Sequence, residues 1–251
     1  LTMKIIISPA KQMKTENILA IPTTQPELLN QTQELLTKMR ELSLADLQKI
    51  WRCSDKLARE NFEQLQELEL TRPGTAAITA FSGLQYQSLA ADLLARTELD
   101  YLGQHLRILS GFYGVLRPFD GILPYRLEMQ SKLPINDANN LYHFWGPQLY
   151  QSLNLDSEDF VINLASKEYA KAITPYLQPG QELVNLFFAD LIDHKPKVKA
   201  TKAKIARGQM VRYLAKNHIS TIADIKNFDH PNYDFAPTYS HDNDLVFIAK
   251  N

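Results

Sequence analysis

Four short runs of β-branched and other apolar residues constrain the fold most: residues 3–8, 159–165, 182–188 and 244–249. Each has the length of a buried strand and falls far short of a membrane span. Helical patterns lie between them. Residues 28–44 carry Leu28, Leu35, Leu36, Met39 and Leu42 on one side. Ser43 starts a helix over residues 44–51, and Ser54 caps a third that runs through Leu57, Phe62 and Leu65. Residues 71–74 read as a turn, 76–81 as strand-like and 86–96 as helical. Ser166 caps a helix after the second run, and residues 221–227 form a short one. The stretch 118–134, with prolines at both ends, is a long irregular connection. Interleaved strands and helices predict an α/β or mixed α+β fold, one compact domain with a mixed sheet surrounded by helices.

Composition excludes several classes. With 251 residues, 45% apolar and 22% charged, the chain is an ordinary globular sequence, not a disordered, collagenous or coiled-coil one. One cysteine, Cys53, rules out an internal disulfide and a cysteine-based metal site. The first residues enter a strand-like run, unlike a signal peptide. A cytoplasmic protein with no membrane segment is expected.

The net charge of −1 conceals sorting. Between residues 195 and 216 stand Lys195, Lys197, Lys199, Lys202, Lys204, Arg207, Arg212 and Lys216, with no acidic residue. Without these eight, 19 basic residues face 28 acidic ones. Sorted charge of this kind makes either a solvated helix face or a phosphate-contacting surface. Ala203, Ala206, Met210, Tyr213 and Leu214 fall on one helical stripe, so the helix docks on the core and presents its cations outward. Gly208 within it permits either close packing or a kink.

Glycine concentrates elsewhere: four of the nine lie between residues 103 and 121. The segment Ser110, Gly111, Phe112, Tyr113, Gly114 follows an apolar-x-x-apolar-x-Gly pattern that resembles a helix-hairpin-helix turn, whose amides face a DNA phosphate. Two residues separate the glycines where the motif has one. A strand and turn with Leu106, Ile108, Val115 and Leu116 facing the core satisfies the same pattern.

A second group of polar residues suits an anion at strand ends or helix starts: Ser8, Lys11, Lys56, Arg126, Asn163 and Ser166. Each also has a structural reading, as a surface lysine, a helix cap or an Arg126–Glu128 pair. The six histidines show no metal-ligand spacing, so neither a metal nor another cofactor is expected; Asp229, His230, His241, Asp242 and Asp244 read as polar turns. Cys53 lies beside Arg52 and Lys56, as either a reactive thiol or an inert partly buried one.

Several motifs occur together. They are Ile7-Ser-Pro-Ala-Lys11, Ser54-Asp-Lys-Leu-Ala58, the run from Leu106 through Ser-Gly-Phe-Tyr-Gly114 to Asp120, and Pro124-Tyr-Arg-Leu-Glu-Met129. Later come Phe144-Trp-Gly146, Val161-Ile-Asn-Leu-Ala-Ser-x-Glu-Tyr169 and Ala203-Lys-x-Ala-Arg-Gly-x-Met-x-Arg212. As a set these resemble the bacterial peroxide stress resistance protein YaaA family, from Met3 to about Phe247; Leu1 and Thr2 precede the start expected from it. The resemblance implies a single-domain mixed α/β fold with a helix-hairpin-helix element and a positively charged cleft. It implies a cytosolic DNA-binding protein that limits free iron and oxidative DNA damage under peroxide. Its hairpin falls on residues 106–116 and its basic surface on Lys202, Lys204, Arg207 and Arg212. The relatives' tandem lysines are here Ala203-Lys204, which displaces one charge.

DNA, duplex and also distorted or single-stranded, is thus the expected partner, with no obligate protein partner evident and no catalytic residue singled out. Two alternatives stay open. One is a DNA lyase or glycosylase using Lys11, Lys56 or Lys167 with Asp120 or Glu128. The other is a small-molecule enzyme acting on a phosphorylated substrate at Ser8/Lys11 and Asn163/Ser166.

Overall fold

A computed structural model describes residues 2–251. Its strands are β1 (Met3–Ile7), β2 (Thr75–Ala76), β3 (Leu106–Ser110), β4 (Gly114–Leu116), β5 (Gly121–Ile122), β6 (Phe160–Leu164), β7 (Glu182–Ile192), β8 (Lys195–Lys197), β9 (Tyr233–Phe235) and β10 (Asp244–Ala249). The helices are α1 (Leu29–Arg40), α2 (Leu44–Trp51), α3 (Asp55–Glu67), α4 (Ala77–Ala80), α5 (Leu84–Leu89), α6 (Arg96–His105), α7 (Leu141–Trp145), α8 (Gln148–Gln151), α9 (Lys167–Ala170), α10 (Ala200–Lys216) and α11 (Ile222–Ile225).

One mixed sheet of eight strands runs β4-β3-β1-β6-β7-β10-β9, with β8 extending β7; β2 and β5 form a separate pair. β3, β1, β6, β7 and β10 are parallel, and the antiparallel partners sit at the margins. Parallel strands are covered on both faces, which is why the four apolar runs are continuous rather than alternating. Ile5, Ile6 and Ile7 of β1 are fully buried, and Ile5 stands between Leu106 and Ile162 in register. The fold is therefore the expected mixed α/β domain. No helix among the described residues is long and apolar enough to cross a membrane.

The largest departure is at residues 106–116. The expected helix-hairpin-helix is a β-hairpin, because β3 pairs with β1 on one side and with β4 on the other. Ser110 closes its turn by accepting the amides of Phe112 and Tyr113 at 3.3 and 3.0 Å, and Gly114 takes φ +80°. Residues 76–81 are mostly the short helix α4, whose first amides donate to Asp120 O and Pro118 O. The helical pattern at 86–96 breaks at Ala90, which adopts φ +48° between α5 and a 3-10 turn. α1 ends at Arg40, since Ser43 Oγ accepts the Asp46 amide and starts α2. β7 runs beyond the expected end at residue 188, held by β10 and then β8. The irregular connection contains β5.

Gly208 marks close packing, within a continuous α10. A Cβ there would lie 2.0 Å from Gln85 O and from Ser88 Oγ of α5. Ser88 Oγ also donates to Ile205 O at 2.8 Å, which locks the two helices together.

Candidate anion-binding cavity

The parallel topology creates a crevice before any side chain is considered. From β1 the chain first adds β3 on one side, and later adds β6 on the other. At such a reversal the loops leaving two neighbouring parallel strands diverge, and ligands bind at the strands' carboxyl ends. A cavity of about 650 Å³ occupies this position. Ser8, Ala10 and Lys11 line it from the loop after β1, and Ser166, Glu168 and Tyr169 from the segment after β6. The start of α5, residues 125–128 and the α10 side chains Lys204 and Arg207 complete the wall.

The two serines hold the loops rather than face a ligand. Ser8 Oγ accepts the Ser166 amide at 2.8 Å and lies 3.3 Å from Ser166 Oγ. Tyr86 donates its hydroxyl to Ser8 O at 2.7 Å. Ser166 precedes α9 as expected, but its side chain makes no capping bond because it is directed to Ser8.

The cations divide by what they already touch. Lys11 pairs with Glu128 at 3.0 Å in a mostly exposed position, an ion pair of small energetic weight. Arg126 donates to Trp51 O at 3.4 Å, and its buried Nε has no partner. Lys204 and Arg207 meet no carboxylate among the described residues. Burial lowers the pKa of the half-buried Arg207 from its usual high value, so its charge lacks full hydration and gains from an anion. Glu168 accepts the Gln130 amide at 3.1 Å. Burial raises its carboxyl above the ordinary range; the Gln130 bond opposes this, while the nearby Glu128 adds to it.

Ser8, Lys11, Arg126, Ser166, Lys204 and Arg207 are thus brought together, although the sequence separated them into two groups. Other expected members lie elsewhere. Lys56 is exposed on α3, outside the cavity. Asn163 joins a ladder across the sheet, donating to Asn185 Oδ1 at 2.8 Å, while Asn185 donates to Asp244 Oδ1 at 2.9 Å. Lys202 is held by Asp190 at 3.0 Å, and Lys199 by the same carboxylate at 3.1 Å. Arg212 donates to Leu89 O and Ala90 O, both at 3.1 Å, and so satisfies the end of α5.

The turn residues Ser110, Gly111, Phe112, Tyr113 and Gly114 are buried in the core. Ser110 Oγ meets Tyr125 Oη at 2.7 Å, Trp145 Nε1 donates to Gly111 O at 3.0 Å, and Phe112 stacks on Tyr125 at 5.1 Å. Expected as phosphate donors, these groups instead spend their polar atoms inside the protein. The lyase alternative gains no desolvated lysine: Lys11, Lys56 and Lys167 are all exposed, and the buried Asp120 is held by Arg117 and Thr24. Among the described residues no group of three or more His, Cys, Asp or Glu is placed to hold a metal ion. Cys53 is half-buried and lies outside the cavity.

Sequence reasoning missed Gln85 and Tyr86. Gln85 lines the cavity, only 6% exposed, and its side-chain nitrogen has no partner. Glu168 stood in the Ser-x-Glu-Tyr motif at the start of a helix, a signal that pointed to this strand end.

Comparison with known proteins identifies what the chain resembles. A family model described as peroxide stress protein YaaA matches residues 3–239. A relative from Lactiplantibacillus plantarum, named UPF0246 protein, is 51% identical over 249 residues, covering 99% of this chain and all of the relative. UPF0246 proteins of Pediococcus pentosaceus and Limosilactobacillus reuteri are 51% and 50% identical over 246 residues, covering 98% of this chain and 98% of each relative.

Proposed function

The chain belongs to the peroxide stress protein YaaA family, and from that premise we propose that it serves peroxide defence in the cytoplasm by binding DNA. The contact surface is the basic face that begins on β8, follows α10 and turns into the cavity. Occupying DNA there is the proposed route to less oxidative DNA damage, alongside limited intracellular iron.

The observation that carries this reading is the convergence at one cavity of Lys204 and Arg207 with Lys11 and Arg126. Among the described residues only Lys11 of the four pairs with a carboxylate, so a phosphate at the other three displaces no internal ion pair. Lys195 and Lys197 are exposed on β8 and extend the same charge toward solvent. Contacts of this kind go to phosphates and carry no base information, so binding is largely sequence-independent.

The test is a titration of duplex, bulged and single-stranded DNA over a salt series. If about four cations meet phosphates of duplex DNA, the slope of log K against log salt is roughly −3 to −4. A flat salt response overturns the reading.

A further inference from the structure

The cavity is unbalanced in a direction that specifies its ligand. Among the described residues that line it, the buried groups without a partner are Gln85 Nε2 and Arg126 Nε, and both are donors. A buried donor left unmade is costly, so native structures seldom leave one without an acceptor nearby. Two such donors in a wall that also carries Lys204 and Arg207 call for a ligand rich in acceptor oxygens and carrying negative charge. A bare phosphate is too small for this space, since about 650 Å³ lies within the ~300–1,000 Å³ of sites that hold whole organic molecules.

The remaining wall supplies the other half of the specification. Tyr86 and Tyr125 line the cavity with their hydroxyls already bonded, to Ser8 O and Ser110 Oγ, so their rings act as apolar surface. Leu84 and Leu127 adjoin them. Glu128 and Glu168 provide acceptors for hydroxyl or amino groups. One compartment therefore offers cations, orphan donors, aromatic rings and carboxylates.

We propose that the cavity binds a nucleoside phosphate as a unit, with Lys204 and Arg207 on the phosphate, Gln85 and Arg126 donating to its acceptor atoms, and the tyrosine rings against the base. This rests on the preceding reading only in placing phosphate at Lys204 and Arg207. The nucleoside phosphate has two sources, a free mononucleotide or one unpaired nucleotide of a DNA strand.

Calorimetric titration of the whole protein separates them. The probes are inorganic phosphate, ribose 5-phosphate, the four ribonucleoside 5′-monophosphates, a perfect duplex and the same duplex with a one-nucleotide bulge. Tightest binding of a monophosphate, at least about tenfold above ribose 5-phosphate, assigns the free source; at least about tenfold preference for bulged over perfect duplex assigns the strand. In either case Arg207→Ala weakens the preferred probe about tenfold or more. Gln85→Met, which keeps length and removes the amide, weakens it several-fold while the melting temperature holds or rises. A melting temperature that falls with unchanged affinity makes Gln85 a structural residue and overturns its assignment. No monophosphate binding at 1 mM together with equal affinity for bulged and perfect duplex overturns the whole inference while leaving DNA binding intact. Monophosphate binding without DNA binding does the reverse.

Discussion

The Ser110–Gly114 turn and helix α10 look alike in sequence as phosphate-contacting segments, and the structure sends them to opposite places. The turn has polar atoms and glycines, but the Phe112 and Tyr113 amides and the Ser110 hydroxyl are bonded internally, and the Trp145 indole takes the Gly111 carbonyl. α10 buries Ala203, Ala206 and Met210 and turns Lys204 and Arg207 to the cavity. The difference teaches that charge without a partner, and not backbone permissiveness, marks the proposed binding surface. Glycine appears in both segments for close packing. A Cβ on Gly111 would lie 2.8 Å from Leu127 O, and one on Gly208 still closer to α5.

The comparison breaks most sharply at these glycines. Gly208→Val and Gly111→Val each force backbone apart and are expected to destabilise by about 3 kcal/mol or more. In a domain of this size that lowers the melting temperature by roughly 6–12 °C. Thermal unfolding followed by circular dichroism checks it. A Gly111→Val protein that melts normally but loses DNA would return the turn to the contact surface.

Within α10 the four candidate cations separate next. Arg212→Met removes two charge-assisted bonds to the end of α5, costing about 1.5–3 kcal/mol, and leaves the salt slope of DNA binding unchanged. Lys204→Ala with Arg207→Ala does the opposite. Stability stays within about 0.5 kcal/mol, and the slope becomes less negative by roughly 2. Lys202→Ala, whose ammonium already pairs with Asp190, shifts the slope by far less. Equal slopes for all three variants would mean that the division among the four cations is wrong.

How much of this was legible in the sequence depends on the range of the interaction. Four of the five parallel strands, β1, β6, β7 and β10, were readable because burial on both faces writes an unbroken apolar run, and β10 matches the expected 244–249 to the residue. Ser43 and Ser54 were readable because a cap acts over three residues. The hairpin was not, since β3 is fixed as a strand by β1, a hundred residues earlier, and the local pattern fits both readings. The site was legible in pieces. Ser8, Lys11 and Ser166 stand at strand ends, and Lys204 and Arg207 in a charge run. That they meet is a property of the order in which β3 and β6 join β1. Gln85 left no trace, because a glutamine in a helix is unremarkable until its amide is buried beside a cavity.

The finest test lies in the cavity's own negative charge. Glu168 has its carboxyl raised by burial, with Glu128 adding to the effect. A raised folded pKa means that the folded protein holds this proton more tightly than the unfolded chain does. The associated stability is present at pH below the ordinary carboxylate value and is lost as pH rises through the raised one. Binding follows the same sign: as pH falls through that window, Glu168 takes a proton and the cavity wall loses a negative charge near Lys11. A phosphodiester keeps its own charge there, so affinity for DNA rises on mild acidification. Glu168→Gln removes that charge at every pH and is expected to tighten DNA binding at neutral pH by about threefold, with a flatter pH profile. A variant that binds more weakly, or that keeps the full pH response, would show that the phosphate does not sit in this cavity and that the basic face ends on the open side of α10.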